Sequence, residues 1–169
     1  MKIDAEDLIN YHFPRWNELP EIELYIDQVV SILQKNLSIF SNKSDLPIIT
    51  ASMINNYVKQ DIIKPPLKKK YNREHLSSLF VICILKRLMS ISEIGDSINS
   101  ILKIYSSEDA YNLFCNELET AIKSTFNSET IQISAINKTE TREEAILKAI
   151  VSAFANCILV DRLILLRKK

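Results

Sequence analysis

The stretch Ile54-Asn55-Asn56-Tyr57-Val58-Lys59-Gln60-Asp61-Ile62-Ile63-Lys64-Pro65-Pro66, running directly into Leu67-Lys68-Lys69-Lys70-Tyr71, decides how this chain is read. Thr50 is a cap residue for a helix over about 51–60, and Met53, Ile54, Tyr57 and Val58 mark its inward side. Ser52, Asn55, Asn56 and Lys59 fall on the opposite face. Adjacent asparagines suit a helix interior poorly, because their amides compete for backbone hydrogen bonds. Outward on a helix, the same amides match the paired donor and acceptor of adenine in the major groove, and serine is a permissive partner. Two prolines then end the helix, and a loop over about 64–71 follows with Lys64, Lys68, Lys69, Lys70, Tyr71 and Arg73 in or beside it. A helix that reads base edges beside cations that grip phosphates is a duplex-binding arrangement. A solvated helix and loop would carry the same residues, so the surroundings matter.

Working outward, the charge is lopsided although the chain is neutral overall. Residues 50–73 carry six bases against Asp61 alone, while residues 1–40 hold seven acids and three bases. The positive field is concentrated at one place, and local charge governs steering more than the total does.

A single glycine, Gly95, and 47% hydrophobic residues predict a mostly helical fold with a full core. All five prolines lie in the first 66 residues, which leaves the remainder free to be helical. Pro20 suits the first position of a helix with the stripe Ile22, Tyr25, Ile26, Val29, Leu33 and Leu37. Asn72 caps a helix to about Leu88 that is apolar all round, the expected centre of the core. Ser90-Ile91-Ser92-Glu93 and Thr141-Arg142-Glu143-Glu144 are capping boxes, and another helix opens near Ser106. Ile91, Ile94, Ile98, Ile101 and Leu102 are the inward set of the helix after Ser90. Residues 127–139 are ambiguous: Ile131 and Ile133 alternate, but too briefly to mark a strand. The last helix, about 141–167, has one apolar row of Ile146, Ile150, Ala153, Cys157, Val160 and Ile164, with a second row beside it. It closes its own subunit's core, or pairs with a twin in a homodimer.

Enzymatic activity is not expected. His12 and His75 stand in no motif, Glu117, Glu119, Glu140 and Glu144 read as solvated helical groups, and no Gly-rich phosphate cradle exists. Cys83, Cys115 and Cys157 lack metal-ligand spacing and read as buried thiols, so neither metal nor cofactor is expected. Trp16 is expected to anchor an N-terminal arm. With no signal peptide and no membrane-length apolar run, the expectation is a soluble cytoplasmic protein without membrane contact.

The run Ile54-Asn55-Asn56-Tyr57-Val58-Lys59-x-x-Ile62-Ile63-x-Pro65 resembles the recognition helix of MerR-type winged-helix regulators. Tyr71 and Asn72 resemble the end of the wing and the next cap, and Ser90 to Ile94 a following helix. More widely, Leu19-Pro20 through Tyr25-Ile26-Asp27-Gln28-Val29 to Ile94 is similar to the uncharacterised bacterial family catalogued as domain of unknown function 1836. The MerR resemblance implies groove-reading by Asn55 and Asn56, and backbone contacts from Tyr57, Lys59 and the loop bases. Asp61 stands where that pattern has glycine, the wing is short, and effector sensing is not carried over.

The expectation is therefore a mostly α protein: a MerR-like winged helix-turn-helix domain over 1–103 with an N-terminal arm, then a helical part over 104–169. Its expected function is sequence-specific regulation of transcription on double-stranded DNA. The alternative is a protein-interaction module on a degenerate winged-helix scaffold.

Overall fold

In the computed structural model, residues 5–41, 47–127 and 140–166 are described. They form seven α-helices: α1 (Glu6–Ile9), α2 (Ile26–Leu37), α3 (Ala51–Lys59), α4 (Arg73–Leu85), α5 (Ile91–Ile101), α6 (Ser107–Phe126) and α7 (Arg142–Leu166). Strand pairing among the described residues is confined to two isolated bridges, Leu24 with Tyr71 and Leu67 with Lys70. The ambiguous stretch 127–139 lies, but for Asn127, outside the described residues.

The local signals act as their chemistry dictates. Thr50 accepts the Met53 N–H at 3.2 Å, Asn72 accepts that of His75 at 3.2 Å, and Ser106 that of Asp109 at 3.1 Å. Both capping boxes close: Ser90 with Glu93, and Thr141 with Glu144. α4 is buried almost all round, through Leu76, Leu79, Phe80, Ile82, Cys83, Ile84 and Leu85, and α2, α5, α6 and α7 pack against it. Tyr105, just ahead of α6, donates its hydroxyl to Glu144 near the start of α7, so these two helices begin at the same end of the molecule.

Phe13, fully buried, is the hub of the core's aromatic cluster. Its ring meets Phe80 at 5.6 Å, Phe114 at 6.1 Å and Phe40 at 6.2 Å between centroids. The arm around it is bolted to α6. Arg15 makes a two-pronged pair with Glu119 at 2.7 and 2.8 Å, and Glu119 also accepts the Phe13 N–H at 2.7 Å. Trp16 does anchor, through its N–H to Asn112 and its ring against Tyr111, but it remains partly exposed. The hydrophobic core runs without a break from Leu8 to Ile158, so residue 103 divides the chain but not the core.

Several expectations need correction. α2 starts at Ile26, not Pro20, because the backbone of Leu24 is committed elsewhere: it exchanges two 2.8 Å hydrogen bonds with Tyr71. The extended lead-in turns Ile22 and Tyr25 outward, 71% and 57% exposed, although the helical stripe included both. Met53 and Leu102 also lie on exposed edges of their helices. Glu119 is no solvated group. Burial would raise its carboxyl, but the hydrogen bonds from Arg15 and Phe13 prevail and hold it below the ordinary range. Glu144 is likewise engaged by Tyr105 and Thr141, and Glu140 by Lys148.

Gly95 matters through proximity. A Cβ there would stand 2.9 Å from Cδ1 of Ile62, the residue that follows the turn ending α3. The missing side chain leaves room for the terminal methyl of Ile62 against α5.

Candidate nucleic-acid interface

α3 buries Ile54 and Tyr57 and turns Ser52, Asn55, Asn56 and Lys59 outward. None of these four side chains has a hydrogen-bond or ion-pair partner among the described residues. The helix closes with the two bonds of a Schellman motif, Ile62 N–H to Tyr57 C=O at 3.0 Å and Asp61 N–H to Val58 C=O at 3.1 Å. Asp61 takes the left-handed position with φ 54°, the conformation that glycine adopts most readily and aspartate tolerates.

The loop after Pro66 is a two-residue turn. Lys70 N–H donates to Leu67 C=O at 2.9 Å, and the central residues Lys68 and Lys69 have φ 49° and 64°. Positive φ at both central residues is the pattern of a type I′ hairpin, normally filled by Asn-Gly. Lysine there sacrifices conformational ease, so each residue carries strain of about 1 kcal/mol or more. Asp61, Lys68 and Lys69 are the non-glycine residues with positive φ among those described, and all three belong to this one region.

The predicted contact residues divide sharply. Lys59, Lys68 and Lys69 are exposed and have no ion-pair partner among the described residues. Lys64 stands 3.7 Å from Glu74, and Lys70 stands 3.9 Å from Glu23 with its ammonium 5.8 Å from the Tyr25 ring. Both pairs are exposed and weak enough to exchange for a phosphate. Arg73 is instead a strut: it donates to the Leu19 carbonyl at 2.9 Å, pairs with Glu21 at 3.4 Å and lies over the Trp16 ring. Tyr57 and Tyr71 are 4% and 3% exposed, which leaves only their hydroxyl tips for any phosphate contact. Burial pushes their phenols up, and their rings belong to the core. The fold also brings Glu21, Glu23 and Glu74 to the basic stretch, so the local excess of five positive charges falls to two.

Sequence reasoning passed over Ile22, Tyr25 and Leu67, which are all strongly exposed around the hairpin. No period-two pattern marks them, because Ile22 and Leu24 stand two apart yet only Leu24 is buried, and the helical stripe that runs on from Ile26 takes in both Ile22 and Tyr25. His75 joins the same region: its Nδ1 stands 3.1 Å from the Asn72 backbone N and 2.6 Å from Asn72 Oδ1, at the cap that follows the hairpin. Burial holds its imidazole below the usual histidine value.

The family model described as Domain of unknown function (DUF1836) matches residues 14–118. No curated protein and no solved structure matches the chain. The matched span, well over half of the sequence, takes in α2 to α5, the hairpin and most of α6. The chain therefore belongs to the family of domain of unknown function 1836.

Proposed function

We propose that this protein is a regulator of transcription that binds double-stranded DNA sequence-specifically, with α3 in the major groove and the Leu67–Lys70 hairpin as a minimal wing, in a MerR-like manner. The observation that carries the reading is the outward face of α3, where Ser52, Asn55, Asn56 and Lys59 are exposed without a partner among the described residues, beside a lysine-tipped hairpin. Asn55 and Asn56 read base edges; Lys59, Lys68 and Lys69 contact phosphates, with Lys64 and Lys70 available once their weak pairs open. Two copies associate through the outer row of α7, in which Ile146, Val160 and Ile164 are 41%, 52% and 46% exposed at four-three spacing. A dimer then reads two half-sites related by its symmetry.

Selection of bound sequences from random duplexes at two salt concentrations tests this. Asn55→Ala or Asn56→Ala relaxes preference at defined positions by about 1–3 kcal/mol. Lys68→Ala with Lys69→Ala weakens binding to every sequence and flattens its salt dependence. A duplex affinity indifferent to both salt and the lysine changes sinks the proposal.

A second reading, a protein-interaction module on the same scaffold, is favoured by one observation. Exposed Ile22, Tyr25 and Leu67 surround the hairpin alongside Glu21 and Glu23, a mixture suited to a protein partner. A stable protein complex that retains no duplex at moderate salt, and is lost on Leu67→Asp, decides for it.

A further inference from the structure

A cavity of about 350 Å³ opens between α4, α5, α6 and α7, away from the α3 face. Its wall is mainly apolar, with Val81 and Leu85 from α4, Ile98 and Ile101 from α5, Phe114 from α6 and Leu147 from α7. Close-packed interiors seldom leave a void larger than a water molecule, whereas ligand pockets begin at about 300 Å³. The polar groups are selective. The hydroxyls of Ser77 and Ser97 are committed to the carbonyls of Glu74 and Glu93. Those of Ser78, Ser100 and Ser107, also in the lining, have no partner among the described residues. Three charged residues also line the cavity, Arg142, Glu143 and Asp96, and of these Arg142 and Asp96 are exposed to solvent.

We propose that this cavity binds a neutral, largely apolar small molecule whose hydroxyl or carbonyl oxygens hydrogen-bond to Ser78, Ser100 and Ser107. A hydroxyl both donates and accepts, so three of them satisfy neutral oxygen groups. A charged ligand would lose its hydration against a mainly apolar wall, and the solvent-exposed Arg142 and Asp96 would repay little of that loss. The site is linked to α3 through α5. α5 supplies Ile98 and Ile101 to the cavity and, through Gly95, the seat for Ile62 at the end of α3. Occupancy that favours one position of α5 therefore alters how α3 is presented, a consequence that rests on the DNA reading.

The test is fluorescence titration of the full chain with Nile red, a neutral carbonyl-bearing apolar dye, followed by displacement with the neutral ketone camphor. Saturable binding of one dye per chain and competition by camphor are expected. Ala110→Phe, which fills the cavity from its wall, weakens the dye at least about tenfold. Ser100→Leu, on a partly exposed helix position, weakens camphor several-fold while thermal melting stays cooperative. Non-saturable binding, or affinities unchanged in both variants, overturns the site. So does dye binding lost on Val160→Asp but retained in Ala110→Phe, because the outer face of α7 is then the locus. Dye exclusion that tracks self-association also overturns it, in favour of a second copy as occupant. Camphor that shifts affinity for a selected duplex at least about threefold supports the link to α3. Dye binding without any duplex binding counts against the DNA reading and leaves the site standing.

Discussion

The arm around Phe13 and the hairpin around Lys68 are both short non-helical segments laid on a helical body, yet they are built on opposite terms. The arm's central groups face inward: Phe13 is fully buried, Arg15 forks onto Glu119, and the Pro14 carbonyl accepts the Tyr111 hydroxyl at 2.9 Å. In the hairpin only the root is fixed, by Tyr71 against Leu24, while the tip holds two lysines in a strained conformation without ion partners among the described residues. A segment whose side chains are all satisfied internally serves the fold. A segment that retains strain and unpaired charge is better explained by something outside the chain.

The largest expected effect breaks the comparison on the arm's side. Phe13→Ala removes the hub of four aromatic contacts and is expected to destabilise the protein by about 3–5 kcal/mol in urea denaturation. A loss below about 1 kcal/mol would mean that the arm merely lies on the surface. Next, Arg15→Ala leaves Glu119 half-buried without its counter-ion and is expected to cost about 2 kcal/mol, less than a fully buried pair because Arg15 retains 21% exposure. Arg15→Lys recovers only part of that, since one ammonium cannot make both bonds.

The hairpin gives the opposite sign. Lys68→Asn with Lys69→Gly installs the residues that a positive-φ turn prefers, and is expected to raise stability by about 1 kcal/mol. The same change is expected to weaken duplex binding and lower its logarithmic salt slope by about two, one for each lysine on a phosphate. Stability and binding moving in opposite directions would sharpen the contrast. Unchanged stability would show that the turn is unstrained.

What the sequence made legible follows the range of each signal. Thr50, Asn72, Ser90, Ser106 and Thr141 were readable as caps because a cap and its partner lie three residues apart. The outward face of α3 was readable because helical period fixes it. The place of Phe13 was not: its N–H meets Glu119 across 106 positions, and no local pattern encodes that pairing. The start of α2 was misread for a related reason, since Tyr71 withdrew Leu24 from a helix its neighbours would have allowed. At the candidate site, residue type alone made Arg73 equal to Lys68. Only the positions of Leu19, Trp16 and Glu21 separate a strut from a free cation. Tyr57 shows two kinds of reading in conflict: period placed it inward, resemblance gave it a backbone contact, and burial favours the first.

The smallest expected effect lies at the joint between hairpin and body, where His75 links pH to the comparison. Its Nδ1 lies against both the backbone N–H and the side-chain oxygen of Asn72, and burial favours the neutral ring over the opposing pull of the Pro65 and Lys64 backbone. Because the folded value is depressed, the unfolded chain takes up the proton first as pH falls below about 6.5, and stability declines from there until the folded ring also protonates. Melting temperatures measured between pH 7.5 and 5 are therefore expected to fall gently, by a few degrees, before the carboxylates begin to matter. His75→Gln, whose side-chain oxygen still accepts the Asn72 N–H, is expected to flatten that slope while leaving Arg15 and Glu119 untouched. A slope that survives in His75→Gln would place the pH sensitivity outside the hairpin's root. In that case the hairpin's root would be the pH-indifferent half of the pair, and its strain would be confined to the two lysines at the tip.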